Sequence, residues 1–259
     1  MQMSVDDIKN LLEEKARQYN KADFIEEDPI SIPHAFSDKE DIEISGFFSA
    51  TIAWGQRPVI VRNAKELMRW MDFKPFEFIK YARDSDLGIF KSFKHRTFNG
   101  EDCIYFIKAL QNIYCNYSGL EQIFSNSMQA NNNDIGIAIH EFRKLFFTVS
   151  PPGRTSKHVA DPLGGSAAKR INMYLRWMVR TEGEVDFGIW KQIPTSALCC
   201  PLDVHSGNVA RGLGILNRRA NDWKAVTELT SYLKALDPED PVKYDFALFG
   251  LGIYDNLGK

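Results

Sequence analysis

The chain has 259 residues, 44% hydrophobic and 25% charged, with a net charge of −2. A chain of this length buries a substantial core in one large domain or two modest ones, and its composition is neither disordered nor fibrous. The near-neutral charge argues against a protein that coats nucleic acid non-specifically. No stretch reaches the unbroken apolar length of a membrane span, and the opening Met1-Gln2-Met3-Ser4-Val5-Asp6-Asp7 lacks the basic and apolar regions of a signal peptide, so a cytoplasmic protein is expected.

Helical period dominates in chain order. Over 5–20, Val5, Ile8, Leu11, Leu12, Ala16 and Tyr19 fall on one stripe, with Ser4 and Asp7 at cap positions. Ser37-Asp38-Lys39-Glu40 reads as a capping box before a helix over 38–54, and Pro58 and Pro75 stand at the starts of helices over 58–71 and 75–83. Further helices are read over 100–116, 119–129 (behind a second capping box, Ser118 to Glu121), 133–148, 166–181, 204–213, 222–236 and 241–251. Gly55, Gly183 and Gly214 are helix stops. The loops are 21–36, 84–99 and 149–165, the last rich in proline and glycine and placed to divide two helical lobes. Strand signals are weak, and no glycine-rich turn of the dinucleotide or P-loop type occurs. The fold class is all-α, with many short helices packed at varied angles.

Cys103, Cys115, Cys199 and Cys200 show no tetrahedral zinc or iron–sulfur spacing, so they read as buried or half-buried thiols and no metal is expected. Lys169, Arg170, Arg176 and Arg180 form a run without an acid, and Arg211, Arg218 and Arg219 form a second basic group. Such separation suits a protein that touches phosphates on one side, although solvated helix faces explain it as well.

Two helix starts carry the candidate chemistry. In Leu163-Gly164-Gly165-Ser166-Ala167-Ala168-Lys169, two glycines let the backbone approach another molecule, and the open amides of the following helix, with its dipole, favour a phosphate oxygen. Lys169 falls in the first turn, where the helix dipole and partial burial disfavour an ammonium ion and make the amine a candidate nucleophile. In Pro201-Leu202-Asp203-Val204-His205, Asp203 is an N-cap whose carboxylate is held rigid and ionised by helix amides, and His205 flanks it. An amine beside such a carboxylate can cut an N-glycosidic bond through a Schiff base.

The run Pro201 to His205 resembles the proline–aliphatic–Asp–Val–His segment of 8-oxoguanine DNA glycosylases. The Gly-Gly-x-x-x-Lys stretch ending at Lys169 resembles the helix–hairpin–helix that carries their nucleophilic lysine. The chain is thus similar to the helix–hairpin–helix/Gly-Pro-Asp glycosylase superfamily, and its Lys–Asp spacing is nearest the archaeal branch. Phe48 to Gln56 resembles a helix-end motif of the same enzymes, and most of the chain resembles an uncharacterised bacterial family of that kind. The resemblance implies a single glycosylase-like domain over 1–259, a helix–hairpin–helix near 150–181 and a cleft between two lobes. It implies a monomer that acts on damaged double-stranded DNA, excises an oxidised purine and then cleaves as an AP lyase. Lys169 would attack C1′ and Asp203 would stabilise the cationic sugar. Gln56, Pro201, His205 and Asp245 would form the base pocket. Gly164, Gly165, Ser166 and Arg170 would hold a DNA phosphate, with a monovalent cation at the hairpin carbonyls as the one cofactor in view.

Departures are also present. The hairpin reads Leu-Gly-Gly-Ser rather than Gly-Val-Gly, and no C-terminal four-cysteine cluster occurs. Trp54, Trp70, Phe90, Phe93, Trp177 and Phe249 all remain candidates for stacking on a flipped base. The alternative is a non-catalytic nucleic-acid-binding protein that keeps only the fold.

Overall fold

A computed structural model describes residues 3–148 and 151–255, so Met1, Gln2 and the first two residues of the 149–165 loop lie outside the described residues. The described residues are mostly helical. The α-helices are α1 (Val5–Tyr19), α2 (Lys39–Thr51), α3 (Arg57–Trp70), α4 (Pro75–Tyr81), α5 (Gly100–Asn116), α6 (Leu120–Ala130), α7 (Ile135–Phe146), α8 (Lys169–Val179), α9 (Val204–Gly212), α10 (Trp223–Leu236) and α11 (Tyr244–Ile253). Two-residue strands β1 (Lys94–His95) and β2 (Phe98–Asn99) pair antiparallel inside the expected 84–99 loop, behind a 3-10 segment Asp84–Ser92. None of these helices is long and apolar enough to cross a membrane.

Local signals set most boundaries. Ser4 and Asp7 close a capping box on α1, and Pro58 and Pro75 sit in the first turns of α3 and α4. Gly55, Gly183 and Gly214 all take positive φ. The expected boxes at Ser37 and Ser118 are not formed. Asp38 and Gly119 are the N-caps of α2 and α6, and neither helix has a side-chain cap bond.

The chain divides into two compact units: Met1–Phe24 with Asp134–Gly136 and Asp161–Lys259, and Ile25–Asn133 with Ile137–Ala160. In the first unit α11 is a central apolar helix against which α1 and α9 pack. Gly250 lets α1 approach: a Cβ there would lie 2.0 Å from the Tyr19 ring. Tyr244 donates from its hydroxyl to Glu13 at 2.7 Å, joining α11 to α1 again. In the second unit α2 is buried along nearly its whole length and carries Phe47 and Phe48 into a cluster with Phe98, Phe106, Phe142 and Phe146. Each such ring, removed from water, contributes about 1.5–3 kcal/mol.

Candidate active site

α9 begins at Val204 because Asp203 caps it. The Asp203 Oδ1 accepts the amides of His205 at 2.9 Å and Ser206 at 3.0 Å, and the Asp203 amide donates to Ser206 Oγ at 3.0 Å. Asn221 Nδ2 donates to the Asp203 carbonyl at 2.9 Å. One carboxylate oxygen is thus committed to the helix and the side chain is immobile. The other, Oδ2, lies 3.8 Å from Lys169 Nζ. The two side chains are 28% and 29% exposed, open enough to be reached from solution.

Lys169 is the first residue of α8, and its Nζ also lies 3.5 Å from Met173 Sδ. Ala168 before it is left-handed (φ 48°) and provides no side-chain cap. The chain enters α8 through a tight turn in which the Gly165 amide donates to the Pro162 carbonyl at 2.9 Å and the Ser166 amide to the Asp161 carbonyl at 3.0 Å. The Trp223 amide donates to the Gly165 carbonyl at 3.1 Å, and Ser166 bridges Asp222, so the turn is stitched to the start of α10.

This geometry corrects several expectations. Over 150–181 the described residues contain one α-helix, α8, and a 3-10 turn Thr155–His158, so the first helix of a hairpin pair is not formed there. Gly164, Gly165 and Ser166 are exposed, but the amides of Gly165 and Ser166 turn inward to close the turn and are not offered to a phosphate. The carbonyls of Asp161, Pro162 and Gly165 each accept one amide. Arg170 is half-buried, and burial pushes its guanidinium down to about 10. Pro201 is buried at the bend into Asp203, and His205 is exposed on the first turn of α9.

Within the basic run, Arg176 and Arg180 do not form a phosphate face. Arg176 and Arg180 are both 3% exposed. Arg176 pairs with Asp186 at 3.2 Å and with Asp245, while Arg180 pairs with Asp240 at 2.8 Å and Asp186 at 3.4 Å. Lys169, Met173, Arg176 and Arg180 form one stripe at i, i+4, i+7 and i+11, each cation with an acid opposite. In the second basic group Arg218 pairs with Asp222, Arg211 donates to the Arg218 carbonyl at 2.8 Å, and Arg219 is exposed.

Asp245, expected in the base pocket, has one oxygen taken by Arg176. Burial pushes its carboxyl up to about 6, against the pull of Arg176 and Lys169 and with the added repulsion of Asp203 and Asp186. The folded chain thus holds a proton on Asp245 between about pH 4 and 6 that the unfolded chain has released. This group's contribution to stability is therefore greatest below that window and declines as pH rises through it. Asp245→Asn is expected to differ most from wild type in Tm at pH 7, with the gap narrowing below pH 6 as the wild-type carboxyl becomes neutral like the amide. A gap constant from pH 4 to 7 would show that Asp245 does not titrate there.

Gln56 lies in the second unit. It is the N-cap residue of α3, exposed, and its side chain makes no cap bond. Of the aromatic candidates, Phe90, Phe93 and Trp177 are buried. In the first unit this leaves Phe249 half-exposed, one helical turn beyond Asp245 on α11, with its ring edge-on to Phe24 at 5.9 Å. Cys103, Cys199 and Cys200 are buried free thiols and Cys115 is exposed; burial pushes Cys199 up to about 11.

The acids Asp186, buried, and Asp240, half-buried, were not singled out by motif. The usable signal is α8 itself, where Ile171, Met173, Tyr174, Leu175, Trp177, Met178 and Val179 leave no face on which two arginines can stay solvated.

Comparison with curated proteins and with solved structures gives no match to this chain. Residues 28–254 match a family model described as "Protein of unknown function (DUF2400)", and the chain belongs to that family.

Proposed function

We propose that this protein is a base-excision DNA glycosylase with lyase activity, acting on an oxidised purine through a Schiff base on Lys169, in a fold of the helix–hairpin–helix/Gly-Pro-Asp kind. The observation that carries the reading is the Lys169–Asp203 pair at 3.8 Å, built from two helix starts and partly open to solvent. The likeness of Pro201 to His205, and of the stretch ending at Lys169, to glycosylase motifs supports it.

The chemistry follows from the geometry. A base inside a duplex is beyond the reach of a side chain, so the nucleotide is first rotated out. The unprotonated Lys169 amine forms a bond to C1′ while the C1′–N bond breaks and its electron pair leaves on the base, which takes up a proton. Asp203 Oδ2 faces the positive charge that develops on the sugar, and its immobility means that little reorganisation is needed as that charge appears. Loss of the amine proton as the sugar ring opens leaves the imine, from which β-elimination cuts the strand.

Borohydride trapping on a panel of lesion-bearing duplexes tests the reading. A covalent adduct with an oxidised-purine duplex is expected. No adduct and no free base on any lesion would remove it, in favour of a binding module, the reading to which the inward-turned amides of Gly165 and Ser166 lend weight.

Phe249→Ala tests the pocket separately. Base–aromatic stacking contributes roughly 1–3 kcal/mol, so base release is expected to slow about 5- to 150-fold. Trapping on a duplex that already contains an abasic site should be unchanged. Equal loss on both substrates would place Phe249 in structural support of α11.

A further inference from the structure

We propose that the face of the second unit around Gln56 is a surface for the phosphodiester backbone of duplex DNA, with Arg62, Lys94 and Arg96 as its phosphate-binding groups. This deepens the glycosylase reading and rests on it for the identity of the polyanion.

Two stretches distant in the chain build this face. Residues 54–65 and 87–100 contain no Asp or Glu, and between them they carry Arg57, Arg62, Lys65, Lys91, Lys94 and Arg96. His95, buried at the end of β1, joins them: its Nε2 bonds the Trp54 carbonyl at 3.0 Å and its Nδ1 meets Asn63 Nδ2 at 2.9 Å. Since the Trp54 carbonyl only accepts and the Asn63 amide donates, the imidazole is neutral, with its proton on Nε2. Trp54 lies between two imidazoles, edge-on to His95 at 5.0 Å and stacked on His158 at 5.9 Å, so the segment entering α3 has a fixed position.

Arg96 and Arg62 flank that segment, and Lys94 is exposed on the adjoining strand. Gly55, with φ 109°, brings the backbone beneath Arg96: a Cβ there would lie 3.3 Å from both Cδ and Nη1 of that side chain. Arg62 Nε reaches Asn63 Oδ1 at 3.4 Å, on the residue that meets His95. Lys94 precedes His95 on β1. Arg62, Lys94 and Arg96 are exposed, and among the described residues none forms an ion pair with a carboxylate, unlike Arg176, Arg180 and Arg218. The start of α3 adds the positive end of a 14-residue helix without a side-chain cap. Fixed backbone, unneutralised cations and a helix N-terminus suit a row of phosphates, and the exposed Gln56 is the N-cap residue of that helix.

The test is fluorescence anisotropy of a short undamaged duplex, titrated at several salt concentrations. The triple variant Arg62→Gln, Lys94→Gln, Arg96→Gln changes only exposed side chains, and an unaltered circular dichroism melt will show that it folds. Its affinity is expected to fall at least about 10-fold, and the slope of log affinity against log salt by roughly 3, near one for each phosphate no longer neutralised. Arg218→Gln, which removes a cation already neutralised by Asp222, should leave the slope unchanged. A triple variant with wild-type affinity and slope, or a wild-type protein that prefers phosphatidylserine vesicles to duplex, would overturn the proposal. If the wild-type protein binds duplex through these residues yet forms no adduct on any lesion, the surface stands and the glycosylase chemistry falls.

Discussion

Lys169→Gln is expected to abolish the borohydride-trapped adduct while leaving duplex binding intact. Glutamine approximates the reach of lysine and keeps a donor near Asp203 Oδ2, but an amide nitrogen cannot form the imine. The loss is therefore chemical rather than structural, and it should extend to the limit of detection. The informative companion is Asp203→Asn. Asparagine caps helices as well as aspartate does, so its side-chain oxygen can still accept the amides of His205 and Ser206 and α9 stays in place. Only the negative charge 3.8 Å from the amine disappears. Base release should slow about 10²–10³-fold, the scale of removing one fixed group that stabilises transition-state charge. Wild-type turnover by Asp203→Asn would reduce Asp203 to a cap. Equal trapping by Lys169→Gln would remove Lys169 from the mechanism.

The second large effect concerns stability. Arg176→Met is expected to destabilise the first unit by about 3–5 kcal/mol at pH 7, read as a shift of the urea unfolding midpoint. The methionine fills much of the volume, but Asp245 loses its arginine partner, and Asp186, whose side chain is fully buried, keeps only Arg180 at 3.4 Å. The guanidinium also lies 4.1 Å from the centre of the Phe246 ring, and the substitution removes that cation–π attraction as well. Burial pushes both carboxyls up, Asp245 to about 6, so the part of the deficit that comes from Asp245 should shrink between pH 7 and 5 as it accepts a proton instead of remaining an unpaired anion. A deficit unchanged over that range would mean that poorer packing, not uncompensated charge, is the cost.

Most helices were legible in the sequence because their signals are local. A capping aspartate at 203, prolines in first turns and a 3.6-residue apolar stripe act over a few residues and do not depend on what lies across the core. The expected helix over 100–116 has those limits in the structure. The apparent boxes at Ser37 and Ser118 failed for a related reason: several residues near a helix start can cap it, and packing of the first turn selects one. The hairpin pair near 150–181 was carried by likeness rather than by a stripe of its own, and the described residues of that segment form α8 and a short 3-10 turn.

What the sequence by itself determined is the set of helices, the capping role of Asp203 and the position of Lys169 at the mouth of α8. Tertiary structure alone decided which charges remain available. It turned Arg176 and Arg180 from an apparent basic face into a buried lattice with Asp186, Asp240 and Asp245. It left Asp203 Oδ2 facing an amine after Oδ1 had been committed to α9, and it brought Arg96 against Gly55 and tied Asn63, which Arg62 reaches, to His95. The physical reason is range. Caps and helical periodicity are set by bonds between near neighbours, whereas the state of a charge depends on which face of another element is brought within a few ångströms of it, and only the packed chain specifies that.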